Sequence, residues 1–344
     1  MVLIFKAEVA IAITVVGTMV GAGFASGQEL VQFFLTLGGG APAAVILSGL
    51  LFSLANSQVR HLALKWHTRS YRDFLVRLLG GWVRPADLFV AAFLFGGLAI
   101  MLAGSGAIAR QHFGQAPWCG ILACAALAML ACWGKGRGLL ILNACLTPVM
   151  LAVMVFTAVV ALMSRPGLLP PAQPAPAGGL ISGNWAINAC LYVAYNMVGV
   201  AVLLTSLPAT HRGVLGAGLG GLFLGALAYL LVMSLASLDL TGLTTELPLL
   251  YLVATLHPGL LGIYTLALWL AMVTTAASDL YGLVTRLEQH LAFPTWQIAA
   301  LILLLALPVA TCGFINLVAW VYPFFGYLGL VVMVLALVHW YFKI

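Results

Sequence analysis

An all-α polytopic membrane protein is the fold class this sequence predicts, and three observations predict it. Only 6% of the 344 residues are charged and 64% are hydrophobic, where soluble domains carry about 25% charged residues. Mean hydropathy is +1.14. The apolar residues fall in runs near the roughly 20 needed to cross a bilayer as a helix, and the alternating segments of about ten residues that mark a β-barrel do not occur.

Ten spans are expected, at about 7–35, 40–59, 86–109, 117–133, 139–163, 184–207, 214–236, 259–285, 296–312 and 316–341. The first is too long for one straight helix, which predicts a broken one. With the N-terminus in the cytoplasm, twelve of the 14 Lys and Arg lie inside, and only Arg110 and Arg165 lie outside. That bias is the positive-inside pattern. It places both termini in the cytoplasm and the chain in a cytoplasmic (inner) membrane, surrounded by lipid. The basic pI near 9.1 therefore reports topology. Its charges are spread over short loops, so no nucleic-acid partner is expected. The six cysteines form no C-x-x-C pair and read as small apolar core residues.

Two connections divide the chain. Residues Arg60–Pro85 contain Tyr71-Arg72-Asp73-Phe74-Leu75-Val76-Arg77-Leu78-Leu79, where apolar and basic residues alternate at helical spacing. A short amphipathic helix on the cytoplasmic surface is expected there. The segment 164–183 carries Pro166, Pro170, Pro171, Pro174, Pro176 and a Gly178-Gly179 pair, as an extended external linker would. It separates a first five-helix unit, 1–163, from a second, 184–344. Five spans per unit give the two halves opposite orientation, the arithmetic of an inverted repeat. A repeat demands that the sixth span be broken like the first. Tyr195, Asn196, Met197 and Gly199 mark the expected position.

The chemistry concentrates in the first span, at Gly17-Thr18-Met19-Val20-Gly21-Ala22-Gly23. Each glycine weakens a helix by about 1 kcal/mol relative to alanine. Lipid offers nothing to the freed N–H and C=O groups, so such a break survives only where it lines a protein cavity. Amides near Gly21, Ala22, Gly23 and Phe24 suit an anionic substrate group, and carbonyls near Tyr195–Met197 suit an amine. Carbonyls of Gly17 and Val20 suit a small cation. In the eighth span, Ala271, Thr274 and Thr275 share one helical face and add three oxygens. Threonines in membrane helices also bond back to the preceding turn, the plainer reading of the same residues.

Two acids stand well inside spans, away from their ends. Asp279 costs roughly 2.5–3.5 kcal/mol to insert, so it must be neutral, paired or wet; a proton site, a gate and a pairing with Arg286 are all open. Glu29, after Ser26-Gly27-Gln28, reads as substrate contact, gate or structural partner. No phosphate-binding loop, Ser-His-Asp set or metal-spaced His pair is present, so no enzyme is expected.

The string Val16–Glu29 resembles the YkvI family of bacterial membrane proteins, and its glycine pattern is similar to the first-helix break of LeuT-fold transporters in the amino acid–polyamine–organocation superfamily. Tyr192-Val193-Ala194-Tyr195-Asn196-Met197 and Tyr322-Pro323-Phe324-Phe325-Gly326-Tyr327 fit the same family. The resemblance implies a 5+5 inverted repeat with helices 1 and 6 broken and substrate between spans one, three, six and eight. It implies a sodium site at Gly17, Val20, Ala271, Thr274 and Thr275. The asparagine that builds a second sodium site in some members is replaced here by Phe24.

The expected function is secondary active transport of a small amino acid or related organic solute by alternating access, coupled to Na+. A proton-coupled or uncoupled carrier using Glu29 or Asp279 stays open as an alternative, as does a passive small-solute channel.

Overall fold

In the computed structural model, described for residues 2–68, 70–133, 137–164, 178–207 and 213–341, the chain is built of helices, and no strand occurs among the described residues. The proline-rich stretch 165–177 and the basic residues Arg69, Lys135, Arg165, Arg212 and Lys343 lie outside them. The first half contains α1 (Val2–Met19), α2 (Ala22–Ser26), α3 (Gln28–Phe33), α4 (Ala41–Lys65), α5 (Tyr71–Leu79), α6 (Val83–Phe113), α7 (Pro117–Trp133) and α8 (Arg137–Ser164). The second contains α9 (Trp185–Ser206), α10 (Val214–Leu235), α11 (Leu240–Thr244), α12 (Pro248–Leu256), α13 (Pro258–Leu287), α14 (Thr295–Ala310) and α15 (Phe314–Tyr341). Among the described residues, seven helices are long and apolar enough to cross a membrane. Shorter apolar helices, Ala7–Met19, Pro117–Cys132 and Thr295–Ala310, stand where the first, fourth and ninth spans are expected.

The first span is broken twice. After Met19 the chain turns extended at Gly21 (φ −89°, ψ −177°) before α2 starts. It then passes through Gly27 at φ 82°. A side chain at Gly27 would be strained by that φ, and its Cβ would stand 3.0 Å from the backbone nitrogen of Leu249.

The sixth span differs from expectation. Helix α9 runs from Trp185 to Ser206 without interruption. Asn196 does not unwind it: its Nδ2 donates to the Tyr192 carbonyl at 2.9 Å, a turn back along the same helix. Gly199 alone, among Val198, Val200 and Ala201, is too little to break the turn-to-turn bonds. Its backbone carbonyls are therefore spent inside the helix rather than offered to an amine.

Close packing of small residues sets the bundle. Helix α4 packs on α10 and α9, α6 on α13, and α15 on α9. A Cβ on Gly49 of α4 would come within 3.0 Å of the Gly225 Cα on α10. Small residues let two membrane helices approach this far. Helix α5 has the expected character: Phe74, Leu75 and Leu78 are buried while Arg72, Asp73 and Arg77 are exposed, and the Ser70 hydroxyl caps it by accepting from the Asp73 amide at 3.1 Å.

Helix ends are tied across the fold. The buried Arg60 of α4 donates from Nη1 to the carbonyls of Leu204 at 3.1 Å and Leu207 at 3.0 Å, at the end of α9. The Glu8 carboxylate of α1 accepts from the amides of Gly213 and Gly216 at the start of α10. At the opposite end of the bundle, Pro323 inside α15 has no N–H for the Ala319 carbonyl one turn earlier. The amide of Leu180, within the linker, takes that carbonyl at 3.1 Å.

Candidate functional site

The break in α1 opens onto a cavity of about 1350 Å³ within the bundle. Gly17, Val20, Gly21, Ala22 and Gly23 line it from α1 and α2. Tyr195, Asn196 and Gly199 line it from α9, and Thr274, Thr275 and Asp279 from α13. The cavity continues past Thr14, Ala12 and Val9 toward the start of α1. In the other direction the chain is closed: Ala22 through Leu35 are buried throughout. The Tyr264 hydroxyl of α13 donates to the Ala25 carbonyl at 2.5 Å, which pins α2 to α13.

Three residues expected at the site stand elsewhere. Phe24 is buried among core side chains and does not line the cavity. Met197, on the other side of α9, lines a small apolar pocket with Phe74, Val59 and Met333. Ala271 is buried behind the wall, and its carbonyl accepts from the Thr274 hydroxyl at 3.0 Å. Helical spacing explains the pattern. Residues 195, 196 and 199 share a face of α9, while 197 lies about 100° to 160° round from them.

Glu29 is the more enclosed of the two acids of the site. It is 5% exposed, at the start of α3, and its carboxylate still lines the cavity. Gly27 turns the chain so that α3 folds this carboxylate back against Gly23, where a Cβ would overlap it. The Tyr195 hydroxyl donates to Glu29 Oε2, and the Tyr322 hydroxyl lies against the same carboxylate. The Tyr195 and Tyr322 rings stack at 4.6 Å with 8° between their planes, and Phe33 stacks on the other side of Tyr195 at 5.4 Å. Helices α3, α9 and α15 are thereby joined around one acid.

Asp279 is held differently. Gly97 of α6 makes room for it: a Cβ there would stand 2.5 Å from Asp279 Oδ2. Arg286 is not its partner, since Arg286 Nε faces Asp87 Oδ1 at 3.6 Å. The neighbouring Ser278 hydroxyl bonds back to the Thr274 carbonyl at 2.9 Å.

Tyr322, Gly97 and Ser278 also line the cavity and were not singled out as site residues by the sequence. Tyr322 had a signal, the aromatic run around Pro323 in the last span. Gly97 had none beyond its pairing with Gly96. No group of three or more His, Cys, Asp or Glu able to hold a metal ion occurs among the described residues.

At the far end, Arg110 Nη2 pairs with Glu246 Oε2 at 2.7 Å. Gln111 exchanges two 3.2 Å hydrogen bonds with the backbone of Leu247. The end of α6 is thus fastened to the segment between α11 and α12. In the fold Asp239 caps α11 and Glu246 makes this bridge.

No family model matches the chain. It is 27% identical over 334 residues to the uncharacterized protein YyaD of Bacillus subtilis (strain 168), covering 94% of each chain. It is 26% identical over 328 residues to the uncharacterized membrane protein YkvI of the same organism, covering 93% of this chain and 92% of that one. Among solved structures it resembles the inward-facing conformation of Mhp1, with a TM-score of 0.68 at 13% identity over 95% of this chain and 75% of that one. It also resembles a manganese transporter of Eremococcus coleocola, with a TM-score of 0.60 at 14% identity over 98% and 86%. The chain is therefore similar to YyaD and YkvI along nearly its whole length, and its fold is that of Mhp1 and the manganese transporter.

Proposed function

We propose that the protein is a secondary active transporter. It moves a small amine-bearing organic solute, amino acids and related compounds included, by alternating access, with sodium as the coupling ion. The observation that carries this reading is the broken α1 lining a closed-ended cavity at the middle of the bundle. A break at membrane depth is tolerated where it serves a cavity, and the ends of such half-helices are where transporters of this architecture hold solutes and ions.

The sodium part rests on Gly17, Val20, Thr274 and Thr275 facing one cavity. The Thr274 hydroxyl now donates to the Ala271 carbonyl. An ion would draw on both oxygens in place of that hydrogen bond. The Lys and Arg distribution puts the end carrying α5 in the cytoplasm of a bacterium, and the cavity then opens inward. Proton coupling is the second reading, favoured by the two carboxylates that line the cavity.

The test is uptake into proteoliposomes. Saturable uptake with counterflow, accelerated by a sodium gradient over a potassium one, is the expected result. Uptake driven by a pH step in sodium-free buffer replaces sodium by protons. Flux that neither saturates nor shows counterflow is a pore's behaviour and overturns the carrier.

A further inference from the structure

This inference rests on the transport reading and narrows its substrate. We infer that the cavity selects small organic cations, amines or amidines without a carboxylate, and that Glu29 is the residue that neutralises their charge.

The charge inventory of the cavity is one-sided. Glu29 and Asp279 line it, and among the described residues no Lys, Arg or His does. The nearby cations are committed elsewhere: Arg286 faces Asp87, Arg110 pairs with Glu246, and Arg60 serves the end of α9. An anionic or zwitterionic solute would bring its carboxylate to two acids with no counter-ion among the described residues. The first-span break does not offset this. Helix α2 has only five residues, too few to sum peptide dipoles into an anion site. The Glu29 carboxylate already lies on Gly23 within that turn.

The donors present serve a carboxylate rather than a substrate anion. Both the Tyr195 and Tyr322 hydroxyls are turned onto Glu29. What remains for a ligand is acceptor capacity and ring surface. Tyr195, Tyr322 and Phe93 all line the cavity, and an ammonium beside a carboxylate and aromatic rings gains from both. Asp279 makes no hydrogen bond or ion pair with any described residue, and its carboxyl lines the cavity. A divalent metal is the poorer occupant. It needs several hard ligands converging on one point, and no cluster of three acidic, His or Cys groups exists among the described residues.

The test is binding to the purified full-length protein in nanodiscs, read by thermal stabilisation and calorimetry. The probes are methylammonium, ethanolamine, putrescine and guanidinium as cations, β-alanine and glycine as zwitterions, glycolate as anion, and manganese chloride. Ligands that bind the folded state raise its melting temperature by mass action. The expected result is stabilisation by at least one cation, with the zwitterions and glycolate at least about tenfold weaker, a difference of about 1.4 kcal/mol. Glu29→Gln should weaken that cation about tenfold or more, and Glu29→Asp less. Tighter binding of β-alanine, glycine, glycolate or manganese overturns the inference. So does the absence of binding by all four cations. It also fails if Glu29→Gln removes only sodium or pH dependence and leaves cation affinity unchanged. If Glu29→Gln does not fold, the wild-type panel and Glu29→Asp decide. Counterflow of β-alanine without amine flux sinks the cation assignment and leaves the transporter standing. Amine binding without counterflow of any probe does the reverse.

Discussion

At the residue scale, the two acids of the cavity each depend on a glycine. Glu29 folds onto Gly23, and Asp279 sits against Gly97. Gly23→Ala must therefore displace the Glu29 carboxylate from its two phenols, an overpacking cost of roughly 1–3 kcal/mol. The expected outcome is protein that inserts and extracts normally but shows a lower melting temperature and slower uptake. Uptake equal to wild type would mean that the Glu29 position does not matter. The same scale holds the ion reading. Thr274→Ala removes one hydroxyl ligand and leaves the Ala271 carbonyl in place. Sodium stimulation of uptake should fall by about tenfold or more, while expression and folding stay intact, since one net hydrogen bond is worth only about 1 kcal/mol. Sodium stimulation unchanged in Thr274→Ala would remove this ion site.

At the element scale, stability rests on helix ends satisfied by distant partners and on small-residue contacts. Arg60 is 1% exposed and supplies donors to the last carbonyls of α9. Arg60→Ala leaves those carbonyls without them, at a cost of about 1–3 kcal/mol for a buried unsatisfied group. The midpoint of thermal unfolding in detergent should drop accordingly, more than for Arg72→Ala on exposed α5. At the α4–α10 contact, Gly49→Val has no room against Gly225, and a loss of roughly 1–3 kcal/mol is expected there too. An unchanged melting temperature would show that the two helices separate without penalty. Helix α9 teaches the opposite lesson about glycine and asparagine. Gly21 and Gly27 take extended and left-handed conformations, while Asn196 and Gly199 stay helical because their neighbours keep every backbone bond inside the helix.

At the scale of the whole molecule, the cavity is reached from one end. It runs toward the start of α1, while the Arg110–Glu246 pair and the Gln111–Leu247 bonds fasten the other end. A single cysteine at Ser278, in a background without the native cysteines, should react with an impermeant maleimide applied from the side carrying α5. It should be slow from the Arg110 side. The Arg110 side chain is 58% exposed, so the pair is worth at most about 1 kcal/mol. That is still enough to shift a two-state equilibrium about fivefold. Glu246→Gln should leave the melting temperature within a degree or two and raise labelling from the Arg110 side. Equal labelling from both sides in the wild-type background would show that this end is not closed.

Composition and run length by themselves determined that this chain is a helical membrane protein, because lipid accepts few other solutions. The glycine pattern of the first span likewise marked where α1 breaks, although Gly17 and Gly23 stay helical and Gly21 alone of the three turns extended. Faces were legible where helical spacing assigns them, so Tyr195, Asn196, Gly199, Thr274 and Thr275 fall on one cavity. What only the tertiary structure decided is which groups meet across helices. Glu29 is placed by the left-handed turn at Gly27 and by Tyr322, nearly three hundred residues away. Arg286 faces Asp87 rather than Asp279. Such pairings depend on the relative rotation and depth of whole helices, and that is set by packing of small residues along their length rather than by any local pattern.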